Sequence, residues 1–153
     1  MIGPRSLIAP IAALCAVLVT PAASAAPVTT FSPAQTLGYN AFPCFGTIDA
    51  FYDPENRFYG DDPTIWVRAS MNFLPTGSAG WCGADAWLTW RNLDTGATGR
   101  FPTGNNVPLA SGGPGTPAPL WVPLTPKTGS GRIEFTIETT MPHLPGSGTI
   151  TVG

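Results

Sequence analysis

A chain of 153 residues with a net charge of −2 and only 10% charged side chains has room for one domain and its own hydrophobic core. Seven basic residues without a basic run argue against a nucleic-acid partner. The 10% aromatic content at low charge is the opposite of a disordered composition, and 18 glycines with 18 prolines point to many turns between short elements.

The first 25 residues read as a secretory signal peptide. Arg5 precedes the apolar run Leu7 to Val19, and the small-residue triplet Ala23-Ser24-Ala25 follows. That run is shorter than the roughly 20 residues that span a bilayer. Cleavage after Ala25 leaves a single domain over 26–153 with no stable membrane anchor, and localisation is expected to be extracellular or in the cell envelope. Cys15 leaves with the signal, so Cys44 and Cys82 remain, and an exported chain with two cysteines most simply forms one disulfide. Two cysteines and the single histidine are too few for a structural zinc site, and neither a metal nor a cofactor is expected.

Along the mature region, period-two alternation recurs and helical periodicity is nearly absent. A first strand is predicted at 44–52 (CFGTIDAFY). The acidic stretch 49–62 follows, but its spacing is not that of a calcium-binding loop, and Asp53-Pro54-Glu55-Asn56 reads as a turn. In 64–74 (TIWVRASMNFL) Ile65, Val67, Ala69, Met71 and Phe73 share one face, which leaves Trp66 and Arg68 on the other. In 80–92 (GWCGADAWLTWRN) Cys82, Ala84, Ala86, Leu88 and Trp90 form the inward set, so Trp90 is expected in the core near the disulfide. Asp85, Trp87 and Arg91 then point outward. Asp94-Thr95-Gly96 reads as a tight hairpin turn into a strand at 98–101.

The Gly/Pro-rich span 102–118 reads as a long loop with a short edge strand at Val107-Pro108-Leu109. Further strands are predicted at 119–124, 131–139 and 148–152. His143, between two prolines, is expected in a solvent-exposed turn.

Seven or eight short strands with one disulfide predict an all-β fold, an antiparallel β-sandwich of immunoglobulin-like type, with a small closed β-barrel as the alternative. The antibody-type Cys, Trp, Cys pattern is not reproduced, since Trp66 faces outward. If 64–74 and 84–93 form a hairpin, Trp66, Arg68, Asp85, Trp87 and Arg91 gather on one outer face. Such a face suits an extracellular ligand (a glycan, a lipid or a protein), with indoles for stacking and Arg or Asp as polar clamps. The competing explanations are that Arg and Trp only brace the sheet, or that the N-terminal segment (Phe31, Tyr39, Phe42) or the 102–118 loop covers the face.

No nucleophile elbow is present, and Glu134 and Glu138 lie about 13 Å apart on one strand, wider than either glycosidase geometry. The expectation is a non-enzymatic binding module. The alternatives are a structural envelope protein and, as a minor one, a hydrolase using carboxylates of 49–62.

Overall fold

The computed structural model describes residues 26–39, 44–73, 80–112 and 117–153. The predicted signal peptide and Phe42 lie outside these residues. Eleven strands among the described residues make two antiparallel sheets: β1 (Thr29–Thr30), β2 (Ala34–Gly38), β3 (Cys44–Tyr52), β4 (Ile65–Phe73), β5 (Trp81–Asn92), β6 (Thr98–Phe101), β7 (Val107–Gly112), β8 (Val122–Leu124), β9 (Gly131–Thr139), β10 (His143–Leu144) and β11 (Gly146–Val152). The front sheet runs β10-β2-β3-β4-β8, with β1 also on β3. The back sheet runs β11-β9-β5-β6, with β7 sharing β5's free edge. Both sheets are open, so the fold is a sandwich and not a closed barrel. What it has in common with immunoglobulin-like sandwiches is the pair of packed antiparallel sheets and a disulfide between them. Strands β1, β2 and β10 come in addition to those expected, and the first and last are only two residues long.

Alternation builds the core. Ile65, Val67 and Ala69 of β4 face Leu88 and Ala86 of β5 and Ile133, Phe135 and Ile137 of β9, all buried. Phe31, ahead of β2, stacks on Phe135 at 6.0 Å between centroids, so this part of the N-terminal segment goes into the core instead of covering an outer face. Asn92, 1% exposed, ends β5 by organising the next turn. Its Oδ1 accepts from the backbone N–H of Asp94 and Thr95, and its Nδ2 donates to the carbonyls of Thr128 and Ser130. The hairpin predicted at 94–96 therefore forms, anchored by a buried amide.

Cys44 of β3 and Cys82 of β5 join the two sheets with a Cα–Cα separation of 6.2 Å. Gly38 makes room for the bridge, because a Cβ there would stand 2.2 Å from the Cys82 sulfur and 2.7 Å from that of Cys44. The bridge also explains why the predicted hairpin of 64–74 with 84–93 does not form. β3 already flanks β4, with Cys44 opposite Phe73. A strand on the other side of β4 would lie two strand spacings from β3, about 9.6 Å, beyond the roughly 7 Å that a disulfide reaches. β5 instead crosses to the back sheet and meets Cys44 through the core.

Two further expectations are corrected. The edge strand expected at 107–109 within the 102–118 loop is longer than read: β7 pairs with β5 over six residues, with Leu109 and Ser111 inward. Trp90 faces inward as expected but is not near the bridge, since eight residues of extended strand separate it from Cys82 by about 26 Å.

Candidate functional site

The five outward residues singled out in the sequence divide between opposite faces of the sandwich. Trp66 and Arg68 lie on the outer face of the front sheet. Asp85, Trp87 and Arg91 lie on the outer face of the back sheet, where β5 pairs with β9, β6 and β7. No face carries all five, because β4 and β5 are not neighbours in a sheet.

On the front sheet the register β3–β4 puts Asp49 opposite Arg68 and Phe51 opposite Trp66. Asp49 is held by three donors: Arg68 Nε at 3.2 Å and Ser70 Oγ at 3.0 Å on one oxygen, and Thr47 Oγ1 at 3.1 Å on the other. The guanidinium so fixed lies over the indole of Trp121, 4.4 Å from the ring centroid. Trp121 precedes β8 and was read in the sequence only as part of a strand. It is the aromatic residue that completes the face. Phe51 meets it edge-on at 4.7 Å and stacks near-parallel to Trp66 at 6.4 Å. Trp66 donates its Nε1 proton to the Asn56 carbonyl, and Phe58 packs edge-on against it at 6.1 Å.

Two hollows open on this face. One, of about 500 Å³, is lined by Val28, Phe51, Trp121, Arg68 and Asp49 among others. The other, of about 580 Å³ and nearer the disulfide, is lined by Leu37, Phe45, Leu144 and the polar side chains of Gln35, Thr47 and Asn72. Leu37, Phe45 and Leu144 are 48%, 44% and 65% exposed. Thr47 borders one hollow and its hydrogen-bond partner Asp49 the other, so the hollows flank the Asp49–Arg68 pair.

The back-sheet residues have separate partners. Asp85 accepts the Tyr39 hydroxyl at 3.0 Å. Burial, reinforced by the hydrogen bond and the negative charge of Asp85, raises the Tyr39 phenol above its ordinary value. Trp87 has Arg100 over its ring at 4.8 Å, and that guanidinium also donates to the carbonyls of Pro102 and Gly104 and to the Asn106 side chain. Arg91 is exposed, opposite Glu134 on one side and Thr98 on the other.

His143 is not the solvent-exposed turn residue expected. It sits in β10, with Nε2 2.8 Å from Glu138 and Nδ1 2.8 Å from the Met141 carbonyl. A partner five residues upstream, across a turn that brings the chain from one sheet to the other, is the signal that could have placed it. The turn at 53–56 forms as read, with Asp53 accepting the backbone N–H of Glu55. Among the described residues no three His, Cys, Asp or Glu side chains converge as a metal site requires, and no helix is long and apolar enough to cross a membrane.

Comparison with family models, with curated proteins and with solved structures finds no match for this chain.

Proposed function

We propose that the protein is an exported, non-enzymatic binding module whose ligand lies across the outer face of the front sheet. The observation that carries this reading is the pair of hollows flanking the Asp49–Arg68 pair on one open sheet face. Apolar parts of a ligand fit against Trp121 and Phe51 at one end and against Leu37, Phe45 and Leu144 at the other. A polar group meets Arg68 between them. A concave surface, mostly apolar with a few placed polar groups, is the usual form of a small-ligand site. Export is supported by the signal-peptide pattern of residues 1–25 and by the disulfide, which persists in oxidising compartments.

The test is a fluorescence titration with 8-anilinonaphthalene-1-sulfonate, whose fused rings and single anionic group match an aromatic hollow beside a guanidinium. Saturable binding is expected. Trp121→Ala and Leu144→Ser should each weaken it, the first by about tenfold, while the melting temperature stays within a few degrees, on the order of the ~1 kcal/mol of one aromatic contact. If the wild type does not saturate, or both variants bind as it does, the aromatic row serves only to brace the sheet and the protein is better read as a structural envelope component.

A further inference from the structure

A hollow opens at the end of the sandwich away from the disulfide. A cleft of about 520 Å³ lies there, lined by Trp90, Tyr59, Asp62, Lys127, Thr103 and Thr125 among others. It draws on β5 and β6 of the back sheet and on the loops that follow β3, β6 and β8, so it is separate from the front-sheet face.

Trp90 faces inward from β5, but at this end of the strand inward means toward the mouth, and the indole is only half-buried. It lies flat against Gly99, its register partner on β6. A Cβ at that position would stand 2.5 Å from Cζ2 and 2.8 Å from Nε1 of the ring. Among the described residues the indole N–H has no hydrogen-bond partner, and it is not sealed from solvent. Asp62 and Lys127 likewise carry no ion pair or hydrogen bond, either with each other or with any other described residue. Tyr59, 68% exposed, meets Phe58 at right angles, 4.5 Å between centroids.

A cleft with two ring walls is therefore supplied with one carboxylate, one ammonium, an indole N–H and two threonine hydroxyls. Arg100 also lines the cleft, but its guanidinium is taken up by the Trp87 ring, the carbonyls of Pro102 and Gly104 and the Asn106 side chain. The two unpaired charges are therefore those of Asp62 and Lys127, which balance and give no preference for a charged ligand. The density of donors and acceptors suits a ligand bearing several neutral hydroxyls, and the rings suit the apolar C–H faces of such a ligand. The volume falls in the range of about 300–1,000 Å³ typical of small-ligand clefts. From this we infer a second binding site: the Trp90–Tyr59 cleft takes pyranose rings of a neutral glycan. Trp90 and Tyr59 stack on the sugar, Asp62 accepts from its hydroxyls, and Lys127 with the indole N–H donates to its oxygens.

The experiment is calorimetric titration with three neutral tetrasaccharides (cellotetraose, maltotetraose and chitotetraose) on the wild type and on Tyr59→Ala, Asp62→Asn and Trp121→Ala. Tyr59 is exposed and the Asp62 change is isosteric, so both variants keep the fold, and a thermal melt verifies it. At least one saccharide should bind the wild type with a change in tryptophan emission. Tyr59→Ala and Asp62→Asn should each weaken it by about tenfold, the effect of one stacked ring or one charge-assisted hydrogen bond. Trp121→Ala should leave it unchanged. The proposal is overturned if none of the three saccharides binds. It is also overturned if binding survives Tyr59→Ala and Asp62→Asn but is lost in Trp121→Ala, which would move the sugar to the front sheet.

Discussion

The two outer faces of the sandwich obey the same rule, one face in and one face out, and use it differently. The back sheet presents Thr89, Thr98, Thr136, Glu134, Arg91 and Thr149, with Trp87 under Arg100 and Trp81 against Tyr39 at its end. The front sheet presents Phe51, Trp66 and Trp121 together at one end and Phe45 with the exposed Leu37 and Leu144 at the other, with Thr47, Asp49 and Arg68 between. Both sheets bury a similar aliphatic inner face against the same core, so the back sheet serves as an internal control. It shows that closing this sandwich does not require an aromatic outer surface on each sheet. The aromatic cluster of Phe51, Trp66 and Trp121 is extra in this sense, and an exposed apolar patch beside placed polar groups is a common mark of an interaction site.

The largest expected effect concerns what keeps the two faces opposed. The Cys44–Cys82 bridge closes a separation of 38 residues. By the chain-entropy estimate its loss costs about 3–4 kcal/mol. Urea unfolding of the wild type against the Cys44→Ala, Cys82→Ala double variant measures this directly. The effect should also be uneven along the front face. The hollow at Phe45 adjoins the bridge, whereas Trp121 lies toward the other end of β3. Amide hydrogen exchange should therefore speed up more in β2 and the start of β3 than in β8. Equal loosening of both ends would mean that the hollows are not mechanically distinct. A cost below about 1 kcal/mol would mean that the core alone holds the sheets together.

A smaller effect tests whether the polar centre of the front face organises the aromatic cluster. In Asp49→Ala, Arg68 loses its carboxylate while Ser70 and Thr47 lose an acceptor. Both charged partners are about one-third exposed, so solvent screening limits the loss to about 1 kcal/mol. The diagnostic readout is tryptophan emission. Freed from Asp49, the guanidinium no longer has a fixed place over Trp121, and the emission should shift. Trp87→Phe on the back sheet should leave 8-anilinonaphthalene-1-sulfonate binding as it is in the wild type. If Asp49→Ala leaves the spectrum unchanged, the Arg68–Trp121 stack stands without the ion pair.

Strand positions could be read from the sequence because alternation is a local property. Ile65 to Phe73 and Ile133 to Thr139 each repeat it over enough residues to fix the inward face. Which strands become neighbours is not local, and there the reading failed. Adjacency in sequence suggested a hairpin for β4 and β5, although the reach of the Cys44–Cys82 bridge already argued against it. Trp121 stayed unremarked because its role comes from the β4–β8 register, which brings Pro123 opposite Trp66 and the indole onto Arg68. Asn92 looked like an ordinary polar residue at a strand end, and its burial follows from carbonyls 36 and 38 residues away. Trp90 shows a different limit. Its inward direction was read correctly, but period-two alternation says nothing about whether a residue lies in the middle of the sandwich or at its mouth.

The smallest expected effect probes the place where the front sheet reaches over to the back one. Tyr39, just past β2, donates its backbone N–H to the Gly83 carbonyl on β5, and its hydroxyl donates to Asp85. At neutral pH Tyr39→Phe removes only the second bond, a partly exposed one, and should cost about 0.5–1 kcal/mol. The pH dependence is more informative. Burial and Asp85 raise the phenol above 10.0, its ordinary value, so the folded protein keeps this proton after the unfolded chain has begun to lose its own. Well below pH 10.0 both states are protonated and the contribution of Tyr39 is intact. As pH rises through the interval between 10.0 and the raised folded value, the unfolded state binds fewer protons than the native one, and stability falls. The urea midpoint of the wild type should therefore drop more steeply from about pH 9 to about pH 11 than that of Tyr39→Phe. All other tyrosines are common to both proteins and cancel in the difference. Parallel curves would mean that neither burial nor the Asp85 carboxylate raises this phenol in solution, and that the junction is held by the backbone bond to Gly83.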